Sequence, residues 1–176
     1  MIDSNRFNFI KNKAWETRKH LKIRISYINA EEVLKNSYKD KCIIRYMDFG
    51  PSADADIVSY LHDKFDITVI IINSRRNTPL LKKRLNFSLA HEIGHIELGH
   101  FELLKDKSIN KATLEDEADE FASHFLVPLS RLHNCKRSTN QQLSDIFLVS
   151  EEVIAIQKSK IGIISTRRKP KYHKFY

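Results

Sequence analysis

Two histidines four residues apart, His91 and His95, flank a glutamate, Glu92, in the segment Leu89–His95. On a helix, this spacing puts both imidazoles on one face, where they can bind a single metal ion. Glu92 can then reach a water molecule on that metal and accept its proton as a general base. Zinc suits this set because it acidifies water and polarises the carbonyl of a peptide bond. The competing explanation for the motif alone is a surface helix that carries two histidines by chance.

A catalytic zinc also requires a third protein ligand. An extended motif would place a third histidine six residues after His95, but that position is Phe101. His100 is therefore expected to lie at a helix end or to orient a ligand rather than to bind the metal. His100 and His124 are also candidates for stabilising an oxyanion. The third ligand is expected to be a carboxylate from a second helix.

That second helix is predicted over Thr113–Leu126, where apolar residues recur at helical spacing. At about 100° per residue, Glu115 and Asp119 share an arc with the apolar face, whereas Glu117 lies on the opposite flank and Glu120 points away. A buried carboxylate is costly unless it is paired or bound to metal. Glu115 is therefore the predicted third ligand, with Glu117 as the alternative. Asp119 is predicted to orient a ligating histidine, although the helix dipole would also favour acids here.

The elements that must position these residues are predicted from hydrophobic periodicity and from capping signals. Thr113, with Asp116 three residues later, resembles a capping box at the start of the acidic helix. Trp15 is expected to anchor a charged, partly helical N-terminal stretch by packing. The other predicted elements are a helix over Asp54–Phe65, a buried strand over Ile67–Ile72, a return strand over Leu80–Phe87, the histidine helix over Ser88–Leu104, and short helices over Gln141–Phe147 and Ser150–Lys160.

The composition is that of one globular domain, or one domain with a small appendage, at 176 residues, 41% hydrophobic and 30% charged. The apolar run Ile67–Ile72 is far shorter than the roughly 20 residues of a membrane helix, and the N-terminus lacks a signal-peptide pattern. We therefore expect a soluble, cytoplasmic protein without a membrane anchor.

The cysteines and the net charge point to no further chemistry. Cys42 and Cys135 are far apart and form no Cys-x-x-Cys pair, which argues against a cysteine zinc site. The net charge of +8 comes partly from the basic tail, but no nucleic-acid-binding motif accompanies it. We expect a solvated basic surface and no direct binding of nucleic acid.

Two separate signatures resemble those of the ImmA/IrrE family of zinc metallopeptidases. Arg84–His95 resembles the start of that family's active-site helix, and Glu115–Ala122 leading to Pro128 resembles its acidic second signature. Phe147–Ile164 resembles the helix-turn-helix-like ending of many members. There are two mild departures, Asn86 between Leu85 and Phe87 and Val127 before Pro128. The family's ligand glutamate corresponds to Glu115.

The resemblance implies a gluzincin-like α+β fold, in which a small mixed β-sheet carries the His-Glu-x-x-His helix and a second, glutamate-bearing helix. A short C-terminal helical subdomain resembling a helix-turn-helix follows. The expected organisation is an N-terminal extension (1–29), a zinc metallopeptidase domain (30–130), a helical subdomain (131–165) and a basic tail (166–176).

The resemblance also implies a function. It suggests an intracellular endopeptidase that uses Zn²⁺ and cuts a helix-turn-helix repressor of a mobile element, phage or stress regulon. The alternative is a zinc-bound antirepressor that sequesters a regulator without cutting it. A DNA-binding role for Ser138–Lys160 is disfavoured, since these helices are short and begin with few basic residues.

Overall fold

The computed structural model describes residues 2–24, 27–50, 55–62, 64–75, 79–103, 110–135 and 137–167. Residues 168–176 of the predicted basic tail lie outside this range. The elements in chain order are α1 (Ser4–His20), α2 (Ala30–Ser37), β1 (Cys42–Met47), β2 (Ile57–His62), β3 (Ile67–Asn73), α3 (Pro79–Leu98), α4 (His100–Leu103), α5 (Lys111–Leu126), α6 (Leu129–Asn134), α7 (Asn140–Phe147) and α8 (Glu151–Arg167). Among the described helices, none is long and apolar enough to cross a membrane.

A three-stranded mixed sheet forms one layer, in the order β1-β3-β2. β3 lies in the centre, parallel to β1 and antiparallel to β2, with Ile70 paired to Ile44 on one side and to Ser59 on the other. β3 is the most buried of the three strands, which suits its run of β-branched residues. The predicted α+β fold with a small mixed sheet and the predicted strand Ile67–Ile72 are confirmed.

The predicted helix over Asp54–Phe65 is wrong, because residues Ile57–His62 form the edge strand β2. Ile57 and Leu61 are four residues apart, and that spacing fits a strand as well as a helix because four is a multiple of two. Exposure alternates accordingly, since Val58 and Tyr60 are 46% and 47% exposed and their neighbours on the strand are more buried. Phe65 lies in the following turn.

The predicted return strand over Leu80–Phe87 is also wrong, because this segment is the first half of α3. α3 begins at Pro79, a residue favoured in the first helical turn because it has no N–H to leave unsatisfied. The helix ends at Leu98 rather than near Leu104, because Gly99 adopts a left-handed φ of +71°. The short helix α4 then begins at His100.

α5 begins at Lys111, two residues before the predicted start at Thr113. Its N-cap is Asn110, whose side chain accepts a hydrogen bond from the Ala112 N–H, so Thr113 is already inside the helix. The helix ends at Leu126, just before Pro128, as predicted. α5 packs against both α3 and α1, so both of its flanks are covered.

A single cluster of buried residues joins the sheet to helices from both ends of the chain. Ile10 and Ala14 of α1 belong to it, as do Leu143 and Phe147 of α7. Trp15 does not, because its side chain is 58% exposed on the outer face of α1, which makes the predicted anchor wrong. The two predicted C-terminal helices are confirmed as α7 and α8.

Candidate metal centre

Gly94 allows α3 and α5 to approach closely at the centre of the site. A Cβ atom at this position would lie 3.1 Å from the backbone oxygen of Ala118 and 3.2 Å from both Ala118 Cα and a ring carbon of Phe121. These distances are shorter than ordinary carbon contacts. The missing side chain therefore sets how near the histidine face of α3 comes to the acidic start of α5.

Three ligand-type atoms converge where the two helices meet. His91 Nε2 lies 2.9 Å from His95 Nε2 and 3.2 Å from Glu115 Oε2, and the remaining pair, His95 Nε2 and Glu115 Oε2, is 3.7 Å apart. Ligand atoms of a tetrahedral zinc, each about 2.0–2.2 Å from the metal, are roughly 3.3 Å apart. The donor set and its spacing therefore fit a zinc ion.

Asp119 orients the ring of His91. Its Oδ1 lies 2.7 Å from His91 Nδ1, so that nitrogen donates a hydrogen bond to the carboxylate and Nε2 is turned toward the centre. Burial favours the neutral ring, but the hydrogen bond to Asp119 and the charges of Asp119, Glu92 and Glu115 outweigh it and raise the pKa of His91. The structure places Asp119 where it was predicted to act.

His95 is oriented by a second histidine. His95 Nδ1 lies 2.9 Å from Nδ1 of the fully buried His100, and His100 Nε2 lies 3.1 Å from Glu117 Oε2. Burial, together with the charges of His91, His100 and Lys111, lowers the pKa of His95 to about 3. Both nitrogens of His100 are engaged, so it lies behind a candidate ligand and not where it could stabilise an oxyanion.

The predicted orientation of the α5 acids needs correction. Glu117 is the buried one, with a side chain 7% exposed, whereas the side chain of Glu115 is 47% exposed. The reason is that α1 covers the flank of α5 that was expected to face solvent. Glu117 accepts hydrogen bonds from Arg6 Nε (2.7 Å) and Arg6 Nη2 (2.5 Å). It is thus committed to Arg6 and His100, and the group that converges on the histidines contains Glu115 instead.

Glu92 is buried beside this centre. Burial, and to a lesser extent the charge of Glu115, raises the pKa of the Glu92 carboxyl, opposed by a hydrogen bond with Ser59 and by His91. Its Oε2 has no hydrogen-bond partner among the described residues. A buried carboxylate oxygen without a partner is costly. This oxygen is therefore available for a water molecule that would make the missing bond.

His124 is not brought to the centre, contrary to its predicted supporting role. Its Nε2 lies 2.8 Å from Glu120 Oε1, and its ring meets the edge of Phe7. Glu120, expected to point away, is largely buried and also binds Lys160 Nζ at 2.7 and 2.8 Å. This cluster ties α8 to α5 and has a structural role.

A groove of about 630 Å³ opens beside the centre. Its lining includes Ser88 of α3, Asp116, Asp119 and Ser123 of α5, and Lys160 of α8. A concave surface of this size next to perturbed ionisable groups is typical of a substrate-binding site.

Comparison with known proteins identifies the family. A family model described as the IrrE N-terminal-like domain, of peptidase family M78, matches residues 41–158. The chain belongs to this family. The resemblance to ImmA/IrrE proteins is thereby confirmed, and membership supports a role in peptide hydrolysis or in regulation. No curated protein matches the chain in sequence.

A solved structure described as a Mycobacterium tuberculosis transcriptional regulator is similar in fold. It superposes with a TM-score of 0.57 at 17% identity, over 97% of this chain and 51% of that one. The chain thus spans about half the length of that regulator. At this identity the likeness concerns the fold alone.

Two residues near the centre were missed in the sequence. Ser59, which lowers the pKa of Glu92, lies on β2. It was not identified because that segment was predicted to be a helix. Arg6 lies 111 residues before Glu117 and outside the family segment 41–158, so nothing in its local pattern indicates the contact. Both contacts arise from tertiary packing.

Proposed function

We propose that this protein is a zinc-dependent endopeptidase in which His91, His95 and Glu115 bind the metal and Glu92 is the general base. The observation that carries the proposal is the convergence of three ligand atoms beside the buried, unpartnered Oε2 of Glu92. A zinc site that only stabilised the fold would not need this carboxylate. Zinc bound there would act as a Lewis acid that polarises the scissile carbonyl and acidifies water.

Glu92 supplies the proton-transfer chemistry. Its Oε2, which has no partner among the described residues, can accept a proton from the attacking water. Its raised pKa makes it a better proton acceptor than an exposed glutamate. The same oxygen can then pass the proton to the departing amine, as peptide hydrolysis requires.

The proposed substrate is a helix-turn-helix repressor inside the cell, whose cleavage relieves repression. The proposal is supported by membership of the IrrE-like family, because the family resemblance implies such a target. The groove is lined in part by Asp119, which contacts His91, and it offers space for a segment of polypeptide.

The first test measures zinc content in the full chain and in ligand variants. We expect about one zinc per chain in the wild type, with loss of zinc in His91→Ala and Glu115→Ala. Asp116→Ala is the matched control, because Asp116 is the exposed neighbour of Glu115 on the same helix. If Glu115→Ala keeps its zinc, the third ligand is wrong. If the wild type takes up no zinc, the peptidase proposal fails.

The second test separates cleavage from sequestration. Glu92→Gln removes the base but keeps the ligands, so it should retain zinc and lose repressor cleavage by at least about 100-fold. Cleavage is followed on a purified helix-turn-helix repressor. Derepression in cells that is unchanged by Glu92→Gln would instead indicate an antirepressor that acts by binding.

A further inference from the structure

We propose that Arg6, Glu117 and His100 form a positioning chain that fixes the tautomer of His95, so that its Nε2 lone pair faces the metal centre. The proposal rests on the proposed zinc site, but the hydrogen bonds of this positioning chain are present in the folded protein without a metal. It assigns a role in the site to α1, which lies outside the family segment. The four residues are joined by successive contacts of 2.5–3.1 Å.

The Arg6–Glu117 ion pair sets the direction of the other hydrogen bonds in this series. A guanidinium has donors only, so both oxygens of Glu117 must accept from it, Oε1 from Nε and Oε2 from Nη2. A carboxylate also has acceptors only. The nitrogen that faces Glu117, His100 Nε2, must therefore carry a hydrogen and donate it.

The same logic carries through His100 to His95. A neutral imidazole has one donor and one acceptor, so a ring that donates from Nε2 accepts at Nδ1. His95 Nδ1, 2.9 Å away, must then be the donor. Its own hydrogen thus sits on Nδ1, and the lone pair is left on Nε2, which is the atom turned toward His91 and Glu115.

For His95, this positioning chain takes the place of the carboxylate that contacts His91 directly. Asp119 contacts His91 Nδ1 from a side chain that is 60% exposed. His95 lies deeper, where a carboxylate without a cation would be costly to bury. Glu117 is acceptable there because Arg6 neutralises it, and His100 transmits its effect to His95.

The sequence around Arg6 places it for this contact. Asp3 caps α1, and its Oδ1 accepts hydrogen bonds from the backbone N–H groups of Asn5 (2.8 Å) and Arg6 (2.9 Å). Further along, Lys13 and Thr17 of α1 both contact Glu97 of α3. These contacts with Glu97 form a second polar attachment of α1, and it does not reach His95.

The decisive experiment records imidazole nitrogen resonances of the full chain by NMR, with no metal added. We expect a hydrogen on His95 Nδ1 and on His100 Nε2 in the wild type. Glu117→Gln should convert His100 and His95 to tautomer mixtures, because an amide can donate as well as accept. Arg6→Met should do the same, because the buried Glu117 carboxyl loses the cation that favours its ionised form, and a protonated carboxyl can also donate. A wild-type His95 with its hydrogen on Nε2 alone would overturn the proposal, as would variants that leave both rings unchanged.

Zinc affinity gives a separate readout, measured by competition with a chromophoric chelator. Arg6→Met and Glu117→Gln should each weaken zinc binding about 10–100-fold, the range for residues that orient a ligand, and Arg6→Lys should recover part of the loss. Glu97→Gln is the matched control, because it loosens the second attachment of α1 without touching His95. We expect it to lower the melting temperature and leave zinc affinity unchanged.

The outcomes separate the two proposals. Equal loss of zinc affinity in Glu97→Gln and Arg6→Met would mean that α1 acts only through general stability, and the positioning role would be wrong. Failure of the wild type to bind zinc, combined with the expected tautomers, would remove the peptidase proposal and leave the chain established. Zinc binding that is unaffected by Glu117→Gln would remove the positioning role and leave the zinc site standing.

Discussion

Replacing Asn86 by leucine should destabilise the protein more than most single substitutions at its surface. The Asn86 amide is buried and bonds three separate backbone groups. Its Oδ1 accepts from the Ala30 N–H at 2.8 Å, and its Nδ2 donates to the carbonyls of Ile28 and Leu148 at 3.0 Å each. One side chain on α3 thereby holds the start of α2 and the junction between α7 and α8.

The expected loss follows from those three bonds. Leucine has a similar volume, so no large cavity forms, but three backbone groups lose a partner. At about 1–1.5 kcal/mol for each such bond, the free energy of unfolding should fall by about 3–4.5 kcal/mol. That is a large part of the roughly 5–15 kcal/mol by which folded domains are stable.

Equilibrium unfolding in urea, followed by circular dichroism, measures this loss as a shift in the midpoint. Asn134→Leu is the control, since Asn134 is exposed at the end of α6 and should change stability by less than about 0.5 kcal/mol. Asn86→Asp should also destabilise, because a carboxylate cannot donate to two carbonyls. A loss below about 1 kcal/mol in Asn86→Leu would refute the bridging role.

Three further predictions follow from the packing. Gly94→Ala should weaken zinc binding and lower stability by up to about 2 kcal/mol, because overpacking against Ala118 exceeds the gain in helix propensity; chelator competition and thermal unfolding test it. Gln157→Met should raise the free energy of unfolding by about 1–2 kcal/mol, measured as a higher urea midpoint. Both buried amide atoms of Gln157 are without a hydrogen-bond partner in the described part of the chain. Burial lowers the pKa of His124, despite its pairing with Glu120. The unfolded ring therefore takes up a proton near pH 6.5 and the folded ring resists it, so the free energy of unfolding should fall between pH 7 and pH 5, less steeply in His124→Gln.

Each of these has a result that would contradict it. A Gly94→Ala protein with wild-type zinc affinity would show that α3 and α5 can separate without disturbing the ligands. A Gln157→Met protein that is less stable than the wild type would mean that the amide has partners in the folded state. For His124, the sign is fixed by linkage, since a base with a lowered folded pKa makes stability rise with pH, at most about 1.4 kcal/mol per pH unit. The groups facing it are Glu120, Lys160 and Lys11, and equal slopes with and without the ring would exclude its contribution.

The parts of the site that depend on one helix could be predicted from the sequence. His91, Glu92 and His95 share a helix, so their relative placement follows from its geometry alone. Glu115 and Asp119 are four residues apart on α5 and so share one face, from which Glu115 reaches both histidines and Asp119 reaches His91. The family was recognisable for the same reason, because its signatures are local.

The parts that depend on contacts between distant segments could not be predicted. A spacing of four apolar residues fits both periods, so only pairing with β3 decides that Ile57–His62 is a strand. Glu117 is buried because α1 packs on its side of α5, and the periodicity of α5 cannot show which helix packs there. Asn86 looked like a departure from the family pattern, and its three backbone partners were invisible in the sequence.

The packing of α1 has a consequence for where the protein can be divided. Ile10 and Ala14 are completely buried, and Arg18 Nη1 donates to the Phe125 carbonyl at 2.5 Å. A fragment trimmed to residues 41–158 would expose that apolar flank of α5 to water and leave the Glu117 carboxylate without its guanidinium. We expect such a fragment to bind hydrophobic dyes and to be digested rapidly by proteases. The boundary of homology and the boundary of cooperative folding therefore fall at different points in this chain, and a truncation guided by the first would cut through the second.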